Sequence, residues 1–244
     1  MSFISYENYK KRAGNKGLND TEIAGRYGFQ VIEERRTIRD IINKLDIQAT
    51  DNLLDIGCGP GNLLIPLSFF VSEACGIDND AAIERLLHKS ENLKNIRGIA
   101  GNFLDIDIAD TQRYSKILIY DVIQYLSSHE DVEIFLSKAL SLLKQDGKML
   151  IGDIPNTDKK RRYENSPEGR LQIDAWKKKI AESNEPQLDL PVDPDLVKTN
   201  DNLYISILAI ARKKGFESYL LPQPDGLAFN KTRDDILIIS KYPS

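Results

Sequence analysis

Leu53-Leu54-Asp55-Ile56-Gly57-Cys58-Gly59-Pro60-Gly61-Asn62 is the stretch that decides the fold of this 244-residue chain. Its first residues, 53–56, predict a short buried strand, and the glycine-rich turn after them leads into an apolar helix predicted over residues 63–71. Glycine lets a backbone turn tightly or lie directly against a ligand. A strand, a glycine turn and a helix N-terminus in this order predict a cofactor cradle.

The spacing of the glycines separates this turn from the dinucleotide fingerprint. A pyrophosphate site uses Gly-x-Gly-x-x-Gly, whose third glycine lets the helix close over the phosphates. Here the order is Gly57-x-Gly59-x-Gly61, and Asn62 stands where that last glycine would fall. The turn therefore predicts a nucleoside ligand that carries no diphosphate.

A carboxylate follows the next predicted strand at the distance that a ribose site requires. Residues 73–77 form this strand, and Asp78 stands at its end, 21 positions after Gly57. A carboxylate here can accept hydrogen bonds from both ribose hydroxyls, and it repels a 2′-phosphate, which disfavours NADP. A glycine turn alone is a weak signal, because any tight turn uses glycine. Together with Asp78, it favours a cofactor site over a purely structural turn.

The same residues match the first motif of a known family. Asp55, Gly57, Gly59 and Gly61 fit the pattern Asp/Glu-x-Gly-x-Gly-x-Gly, and the stretch resembles the class I S-adenosylmethionine-dependent methyltransferases. The resemblance covers about residues 50–152 and continues from about residue 200 to the end. It implies an α/β fold, with a Rossmann-like, doubly wound sheet of seven strands that is mostly parallel and has an antiparallel last strand. It also implies a methyltransferase with S-adenosyl-L-methionine as cofactor and S-adenosyl-L-homocysteine as product.

The resemblance assigns the cofactor site to the carboxyl ends of the first four strands. The residues after the third strand, predicted over 96–100, would hold the adenine. Asn102 stands where a carboxylate is commonest, its amide oxygen can also accept from the adenine amino group, and Asp105 and Asp107 are nearby alternatives. The predicted cofactor-binding residues are Asp55, Gly57, Cys58, Gly59, Gly61, Asn62, Asp78, Asn79, Asn102, Phe103, Asp121, Val122 and Ile123.

Two segments stand apart within a single predicted domain over residues 1–244. An N-terminal arm and helix cover residues 1–45, and the resemblance implies that the arm is a lid with Tyr9 or Arg12 near the ligand; a solvated arm is an equal alternative. Residues 154–200, after the fifth strand, interrupt the alternation of strands and helices. Insertions at this edge of such a sheet recognise acceptors, so we predict an acceptor-binding or lid segment. A solvated surface helix is the alternative.

The chemistry requires alignment more than proton transfer. A sulfonium is already a strong methyl electrophile, so the protein has to align the acceptor and exclude water. A base is needed only for an acceptor that holds its proton at neutral pH. Asp153, at the end of the fifth strand, is the first candidate for this base, followed by His129 and Tyr163. For His129, an ordinary helix start is the competing interpretation.

Arginines in the insertion and near the C-terminus predict an anionic acceptor, because guanidinium groups bind phosphate through paired hydrogen bonds. The candidates are Arg161, Arg162, Arg170 and Arg233. Residues 152–156 and 221–236 also resemble small bacterial methyltransferases associated with surface-polysaccharide synthesis. That likeness implies O-methylation of a phosphorylated or nucleotide-linked glycan precursor. Methylation of tRNA or protein, and a cofactor-binding regulator without turnover, remain alternatives.

Composition limits the partners. A net charge of −4 and a pI near 5.4 provide no basic field for nucleic acid, and no Asn/Asp-Pro-Pro-Tyr motif follows the fourth strand. Cys58 and Cys75 predict buried, reduced thiols and no metal site. No apolar run reaches the length of a membrane span. We therefore expect a cytoplasmic enzyme that acts on a small-molecule acceptor without a metal; the oligomeric state stays open.

Overall fold

The computed structural model describes residues 5–25, 31–108, 113–183 and 195–241. Seven strands alternate with helices along most of this chain. The helices are α1 (Tyr6–Ala13), α2 (Asp20–Ile23), α3 (Val31–Leu45), α4 (Leu64–Ser68), α5 (Asp80–Lys89), α6 (His129–Ser141), α7 (Thr157–Glu164), α8 (Pro167–Ser183) and α9 (Asp201–Lys213). The strands are β1 (Asn52–Ile56), β2 (Glu73–Asp78), β3 (Ile96–Ala100), β4 (Tyr114–Tyr120), β5 (Leu143–Pro155), β6 (Glu217–Pro222) and β7 (Arg233–Ile239).

The strands form one sheet in the order β3-β2-β1-β4-β5-β7-β6. β1 pairs in parallel with β2 and β4, and β4 pairs in parallel with β5. β7 lies antiparallel between β5 and β6. The predicted doubly wound sheet with an antiparallel last strand is therefore confirmed. The order reverses at β1, and ligands of such sheets bind at the carboxyl ends of the strands beside that reversal.

Helices cover both faces of the sheet because alternate residues of each strand point to opposite sides. Leu54 and Ile56 of β1 belong to a core cluster that also contains residues of α6 and α9. Leu53 faces the other side, where it packs with Ile41 and Leu45 of α3. All five are at most 1% exposed, and burying each such side chain contributes about 1.5–3 kcal/mol. This two-sided burial fixes the position of the turn that follows β1.

The observed boundaries differ from four expectations drawn from the sequence. Asp80 is a candidate N-cap in the sequence, but Asn79 caps α5, because its side-chain oxygen accepts from the amide of Ala82 at 3.1 Å. Ser127 and Glu130 form a candidate capping box, but Ser128 caps α6, and its hydroxyl accepts from the amide of Asp131 at 3.0 Å. Two lengths also differ. α4 is shorter than the predicted residues 63–71, and β5 extends beyond the predicted residues 148–152 because β7 pairs with it as far as Pro155.

The described part of the predicted insertion, residues 154–183 and 195–200, contains the end of β5 and the helices α7 and α8. Asn156 caps α7, since its side-chain oxygen accepts from the amides of Asp158 and Lys159. Residues 184–194 of the insertion, and residues 1–4 and 26–30 of the arm, lie outside the described residues. Within the described ranges, no helix is long and apolar enough to cross a membrane. The division of the chain into arm, domain and insertion stays a prediction.

Candidate functional site

A cavity of about 810 Å³ opens at the carboxyl ends of β1, β2 and β4. This volume lies within the range of about 300–1,000 Å³ that is typical of small-molecule sites. Its floor is the glycine turn after β1, and its walls include the loops after β3 and β4. The cavity therefore lies where the sheet order reverses and where the sequence places the cofactor cradle.

The glycine turn has a backbone that other residues rarely adopt. Gly57, Gly59 and Gly61 have φ angles of +82°, +53° and +87°, in the left-handed region that glycine enters without steric cost. A Cβ added at Gly57 would lie 2.4 Å from Cγ2 of Val122. The loop after β4 therefore packs directly against the turn, and this contact fixes one wall of the cavity.

Asp78 connects the end of β2 to the glycine turn. Its Oδ2 accepts from the amide of Gly59 at 2.8 Å, and its Oδ1 accepts from the backbone and side-chain nitrogens of Asn79, each at 2.7 Å. Burial raises the pKa of Asp78 to about 6, against the opposing effect of these hydrogen bonds. A carboxylate has about four acceptor positions, so Asp78 retains acceptor capacity toward the cavity that it lines.

Asp55 provides a direct test of whether a cationic cofactor fits. The carboxylate is 2% exposed and lines the cavity, and its Oδ2 has no hydrogen-bond partner among the described residues. Burial, and then the charge of Asp78, raise the pKa of Asp55 to about 8. Buried polar atoms are nearly always hydrogen-bonded in native proteins. An ammonium group in the cavity, such as that of a methionine moiety, would supply the partner, so the residues present fit S-adenosylmethionine.

The loop after β3 forms an apolar slot in the cavity wall. Phe103 packs edge-on against Phe135 of α6 with ring centroids 4.8 Å apart, and both residues line the cavity. The side-chain oxygen of Asn102 accepts from the amide of Leu104 at 3.2 Å. Asp105 is exposed and, like Asp107, does not line the cavity. The geometry thus favours Asn102 over these two aspartates for contact with a flat heterocycle.

The N-terminal arm closes the cavity from above. Tyr6 and Tyr9 of α1 line it, and the Tyr9 ring lies 5.9 Å from the ring of Tyr125. Burial raises the pKa of Tyr9 well above its ordinary value. Ion pairs fix the arm to α5: Lys10 lies 2.8 Å from Asp80, and Lys89 lies 2.7 Å from Asp20. The described part of the arm therefore packs against the cavity, and its role as a lid stays a prediction. Arg12 lies outside the lining, where it donates to the carbonyl of Glu22.

Most of the predicted cofactor-binding residues come together around the cavity. Those that line it are Asp55, Gly57, Cys58, Gly59, Asn62, Asp78, Asn102, Phe103, Asp121 and Val122. Gly61, Asn79 and Ile123 do not line it. A Cβ at Gly61 would lie 2.5 Å from Leu86, so this glycine serves helix packing. Asn79 caps α5 and holds Asp78, and Ile123 is buried in the core.

The candidate bases lie outside the large cavity. The Oδ2 of Asp153 accepts from Arg233 Nη1 at 2.7 Å, and its Oδ1 accepts from Gln223 at 3.1 Å. Asp153 lines only a second cavity of about 20 Å³, together with Gln223 and Phe229 of the β6–β7 loop. His129 is exposed at the start of α6, and Tyr163 lies on α7. Their roles as bases stay predictions, which this geometry does not favour.

The arginines that predicted an anionic acceptor are also absent from the cavity lining. Arg161 lies 3.0 Å from Asp158, and Arg162 binds both oxygens of Asp201 at 2.6 and 3.1 Å. Arg170 is exposed on α8. Arg233 is buried between Asp121 and Asp153. Their assignment to the acceptor stays a prediction.

Sequence reasoning missed a second part of the cavity wall. It is formed by Arg35, Thr37 and Ile38 of α3, Leu63 and Pro66 around the start of α4, and Tyr120. From the sequence, the helix before β1 is expected only to pack on the sheet. Of these residues, only Tyr120 could have been predicted from the sequence. It is the last residue of β4, and ligands of such sheets bind at the carboxyl ends of the strands.

No group of His, Cys, Asp or Glu in the described ranges could hold a metal ion. Cys58 and Cys75 are both buried and are not joined in a disulfide.

Comparisons with known proteins identify the family of this chain. The family model of the methyltransferase domain matches residues 27–179, more than half of the chain. A ubiquinone biosynthesis O-methyltransferase of Pelagibacter ubique is 26% identical over 140 residues, which cover 54% of this chain and 56% of that protein. The nonribosomal peptide synthetase CymA of Salinispora arenicola is 24% identical over 152 residues, which cover 61% of this chain and 2% of CymA. The chain thus spans only part of these relatives.

Solved structures share the whole fold at low identity. The N-methyltransferase NodS of Bradyrhizobium japonicum, bound to S-adenosylhomocysteine, superposes with a TM-score of 0.61 at 14% identity and covers 98% of each chain. A phosphoethanolamine N-methyltransferase of Haemonchus contortus gives a TM-score of 0.70 at 15% identity, over 97% of this chain and 48% of that one. With the sheet order, the glycine turn and the family match in agreement, this chain belongs to the class I S-adenosylmethionine-dependent methyltransferases.

Proposed function

We propose that this protein transfers a methyl group from S-adenosylmethionine to an oxygen of a small acidic acceptor. One observation carries the proposal: a single cavity contains both the cradle for the cofactor and an additional wall on the α3 side. Tyr6 and Tyr9 of the arm line the same cavity. A molecule bound against the α3 wall would therefore share that cavity with the cofactor.

The α3 wall defines the kind of acceptor. It is mostly apolar, with Ile38, Leu63, Pro66 and the ring of Tyr120. Arg35 is the only basic residue among the described residues that line the cavity. Guanidinium groups bind carboxylates and phosphates in a planar, paired geometry. An acceptor with an apolar body and an anionic group fits this wall.

The described lining contains no histidine and no lysine to serve as a general base. Of its carboxylates, Asp121 already accepts at Oδ1 from Arg233 and Gln124. An oxygen that is already ionised at neutral pH needs no base. When bound, S-adenosylmethionine supplies the methyl group on a positively charged sulfur. The chain itself then has to bind the acceptor through Arg35, orient it through the β4 loop, and exclude water through Tyr6 and Tyr9.

N-methylation is a second candidate, and the charge of the lining favours it. Asp20, Asp55, Asp78, Asp121 and Asp131 line the cavity against the single Arg35, which would attract an amine. Three of these carboxylates have partners: Asp20 has Lys89, Asp78 has Gly59, and Asp121 has Arg233. We therefore rank the amine second.

The broader alternatives have less support. The glycan-precursor acceptor rests on a likeness of two short segments and on an anion site among the arginines of the insertion. Two of these arginines, Arg161 and Arg162, pair with carboxylates outside the lining. Methylation of tRNA or protein would require a long substrate to reach a cavity that the arm covers. A cofactor-binding regulator would use the cradle but not the α3 wall.

Label transfer tests the proposal. Purified protein would be incubated with methyl-labelled S-adenosylmethionine and pools of carboxylic acids, phenols, sugar phosphates, nucleotide sugars and amines, with products identified by mass spectrometry. We expect methylated products from acids or acidic phenols. If only amines are methylated, the proposed reaction would be N-methylation and not O-methylation. Calorimetric binding of S-adenosylhomocysteine without product from any pool or cell extract would support the regulator. Recovery of methylated RNA would support the tRNA alternative.

A pair of variants on α3 isolates the role of Arg35. Arg35→Gln should raise KM for an anionic acceptor with little change in kcat, because an interaction made equally in ground and transition states affects binding alone. Arg39→Gln, one turn further along and exposed, is the matched control and should leave KM unchanged. Equal KM values in both variants would show that Arg35 does not bind the acceptor.

A further inference from the structure

We propose that Arg233 is a positioning residue for the cofactor site: it joins the ends of β4 and β5 and thereby holds the loop that packs on the glycine turn. The inference rests on the proposed binding of S-adenosylmethionine in the large cavity. Arg233 itself does not line that cavity, so any effect it has on the cofactor must pass through other residues.

The first step is the geometry of the guanidinium. Arg233, at the start of β7, is 6% exposed. Its Nη1 donates to Oδ1 of Asp121 at 2.6 Å, to Oδ2 of Asp153 at 2.7 Å and to the carbonyl of Asp153 at 3.2 Å. The ring of Phe229 lies 4.2 Å from the guanidinium carbon and restricts its orientation through a cation–π contact. One nitrogen atom thus binds the ends of two neighbouring strands.

The second step is the backbone at both partners. Asp121 and Asp153 have φ angles of +60° and +55°, in the left-handed region that residues with a Cβ rarely adopt. They are adjacent across the sheet, since the amide of Asp121 donates to the carbonyl of Gly152 at 3.0 Å. Such conformations persist only where the surroundings enforce them. Arg233 binds both side chains, and so it links the bend at Asp121 to the irregular position at Asp153 in β5.

The third step leads from Asp121 to the cofactor cradle. Asp121 is followed by Val122, and both line the cavity. Val122 fills the space where a Cβ at Gly57 would lie. The contacts therefore run from Arg233 to Asp121, then along the backbone to Val122, and from Val122 to the glycine turn. Loss of Arg233 would leave the Asp121 turn without its main ionic partner, so Val122 and the glycine turn would lose a fixed wall.

Asp153 is also held by residues other than Arg233. The amide of Asp153 donates to Oδ1 of Asp235 at 2.8 Å, and Oδ2 of Asp235 lies 2.6 Å from Lys44 of α3. Gln223 bridges Asp153 and Asp235, at 3.1 Å from each. These contacts hold Asp153 in place. Because Arg233 binds both Asp153 and Asp121, it restricts the position of Asp121 as well. This role for Asp153 competes with its prediction as a base.

The experiment measures S-adenosylhomocysteine affinity by calorimetry and unfolding by urea for the same variants. Arg233→Met should weaken the affinity about tenfold, the scale of coupling reported for residues without ligand contact. Arg233→Lys should recover part of this loss, because an ammonium presents three N–H donors at one nitrogen, as against the two of Nη1. A role in packing alone predicts no advantage for lysine over methionine.

Arg212→Met is the matched control. Arg212 also uses its guanidinium to join two elements, since it donates to the side chain and the carbonyl of Ser218 at 3.0 and 2.8 Å, and it does not line the cavity. We expect this variant to lose stability without losing affinity. Affinity in Arg233→Met within twofold of the wild-type value, or an equal loss in Arg212→Met, would overturn the proposal.

A double variant keeps the proposal testable if Arg233→Met does not fold. Contacting residues are non-additive, whereas independent sites add. The affinity losses of Arg233→Lys and Val122→Ala should therefore not multiply in the combined variant, and simple multiplication would contradict the proposed route. A wild-type protein that gives no heat with S-adenosylhomocysteine would instead overturn the proposed function. If the wild type binds S-adenosylhomocysteine and the variants bind it with unchanged affinity, only this inference would be overturned.

Discussion

The backbone amide of Gly59 donates a 2.8 Å hydrogen bond to the carboxylate of Asp78, which joins the turn after β1 to the end of β2. The two residues are 19 positions apart, and parallel pairing of their strands brings them together. One buried carboxylate therefore both shapes the glycine turn and faces the cavity. Disturbing it should affect the turn and the ligand at once.

Asp78→Asn should weaken S-adenosylhomocysteine binding about 10- to 100-fold, because hydrogen bonds to charged groups contribute about 1.5–3 kcal/mol. The amide replacement removes the charge and one of the two acceptor oxygens. Isothermal calorimetry measures the change. Glu84→Gln, which removes an exposed carboxylate from α5, is the control and should bind as the wild type does. Unchanged affinity in Asp78→Asn would contradict the assignment of Asp78 to the cofactor.

Gly57→Ala should destabilise the protein and abolish most cofactor binding. The new Cβ would meet Val122 at 2.4 Å and occupy a φ of +82°. Gly215→Ala separates these two effects, because Gly215 has a φ of +85° and no heavy atom within 4 Å of an added Cβ. We expect a loss of about 1–2 kcal/mol from backbone strain at Gly215 and about 1–3 kcal/mol more from overpacking at Gly57. Urea unfolding measures both, and equal losses would show that the Val122 contact is unimportant.

Asp55 should make the ligand-free protein less stable as pH rises. Its folded-state pKa of about 8 lies above the ordinary value of 3.8, so its contribution to stability is fully present below about pH 4 and is lost as pH rises toward 8. Asp55→Asn should therefore gain stability relative to the wild type as pH increases through this window. Urea unfolding at several pH values measures the difference. Asp105→Asn, at an exposed position, is the control. A difference between Asp55→Asn and the wild type that does not change with pH would refute the prediction.

Tyr9 should control how fast the ligand leaves. Its hydroxyl lies 3.1 Å from the position of a Cβ at Gly59, directly over the turn, and its ring packs on Tyr125. Tyr9→Ala would open the lid, so dissociation of S-adenosylhomocysteine should become faster while association changes less. Stopped-flow measurements give both rates. Tyr9→Phe keeps the ring and is the matched control. If both variants release the ligand at the wild-type rate, the arm does not act as a lid.

The cofactor cradle was predictable because its signals are local. A strand, a turn and a helix N-terminus are encoded by consecutive residues, and Asp78 follows at a spacing that parallel strands impose. The family resemblance then extended this pattern to the complete sheet. Cap positions shifted by one residue, as at Asn79 and Ser128, because neighbouring Asn, Asp and Ser residues have similar capping preferences and only the local backbone selects one.

The acceptor wall and the role of each charged residue were not predictable in the same way. Basic residues of α7 suggested an anion site, but Arg162 pairs with Asp201 from a helix 39 positions away. Arg233 was assigned to the acceptor, yet it binds Asp121 and Asp153, 112 and 80 positions away. Composition shows how many charges are present but not which ones neutralise each other.

The sequence by itself indicated the glycine turn and the carboxylate at the end of β2, because glycine spacing and strand patterning act over short distances along the chain. The family resemblance that these residues carry then implied the sheet. Only the tertiary structure decided that α1 covers the cavity, that α3 contributes Arg35 to its wall, and that Arg233 is buried in an ion-pair cluster. These relationships depend on which side chains meet across the sheet, and side-chain pairing over such distances is set by packing and not by local pattern.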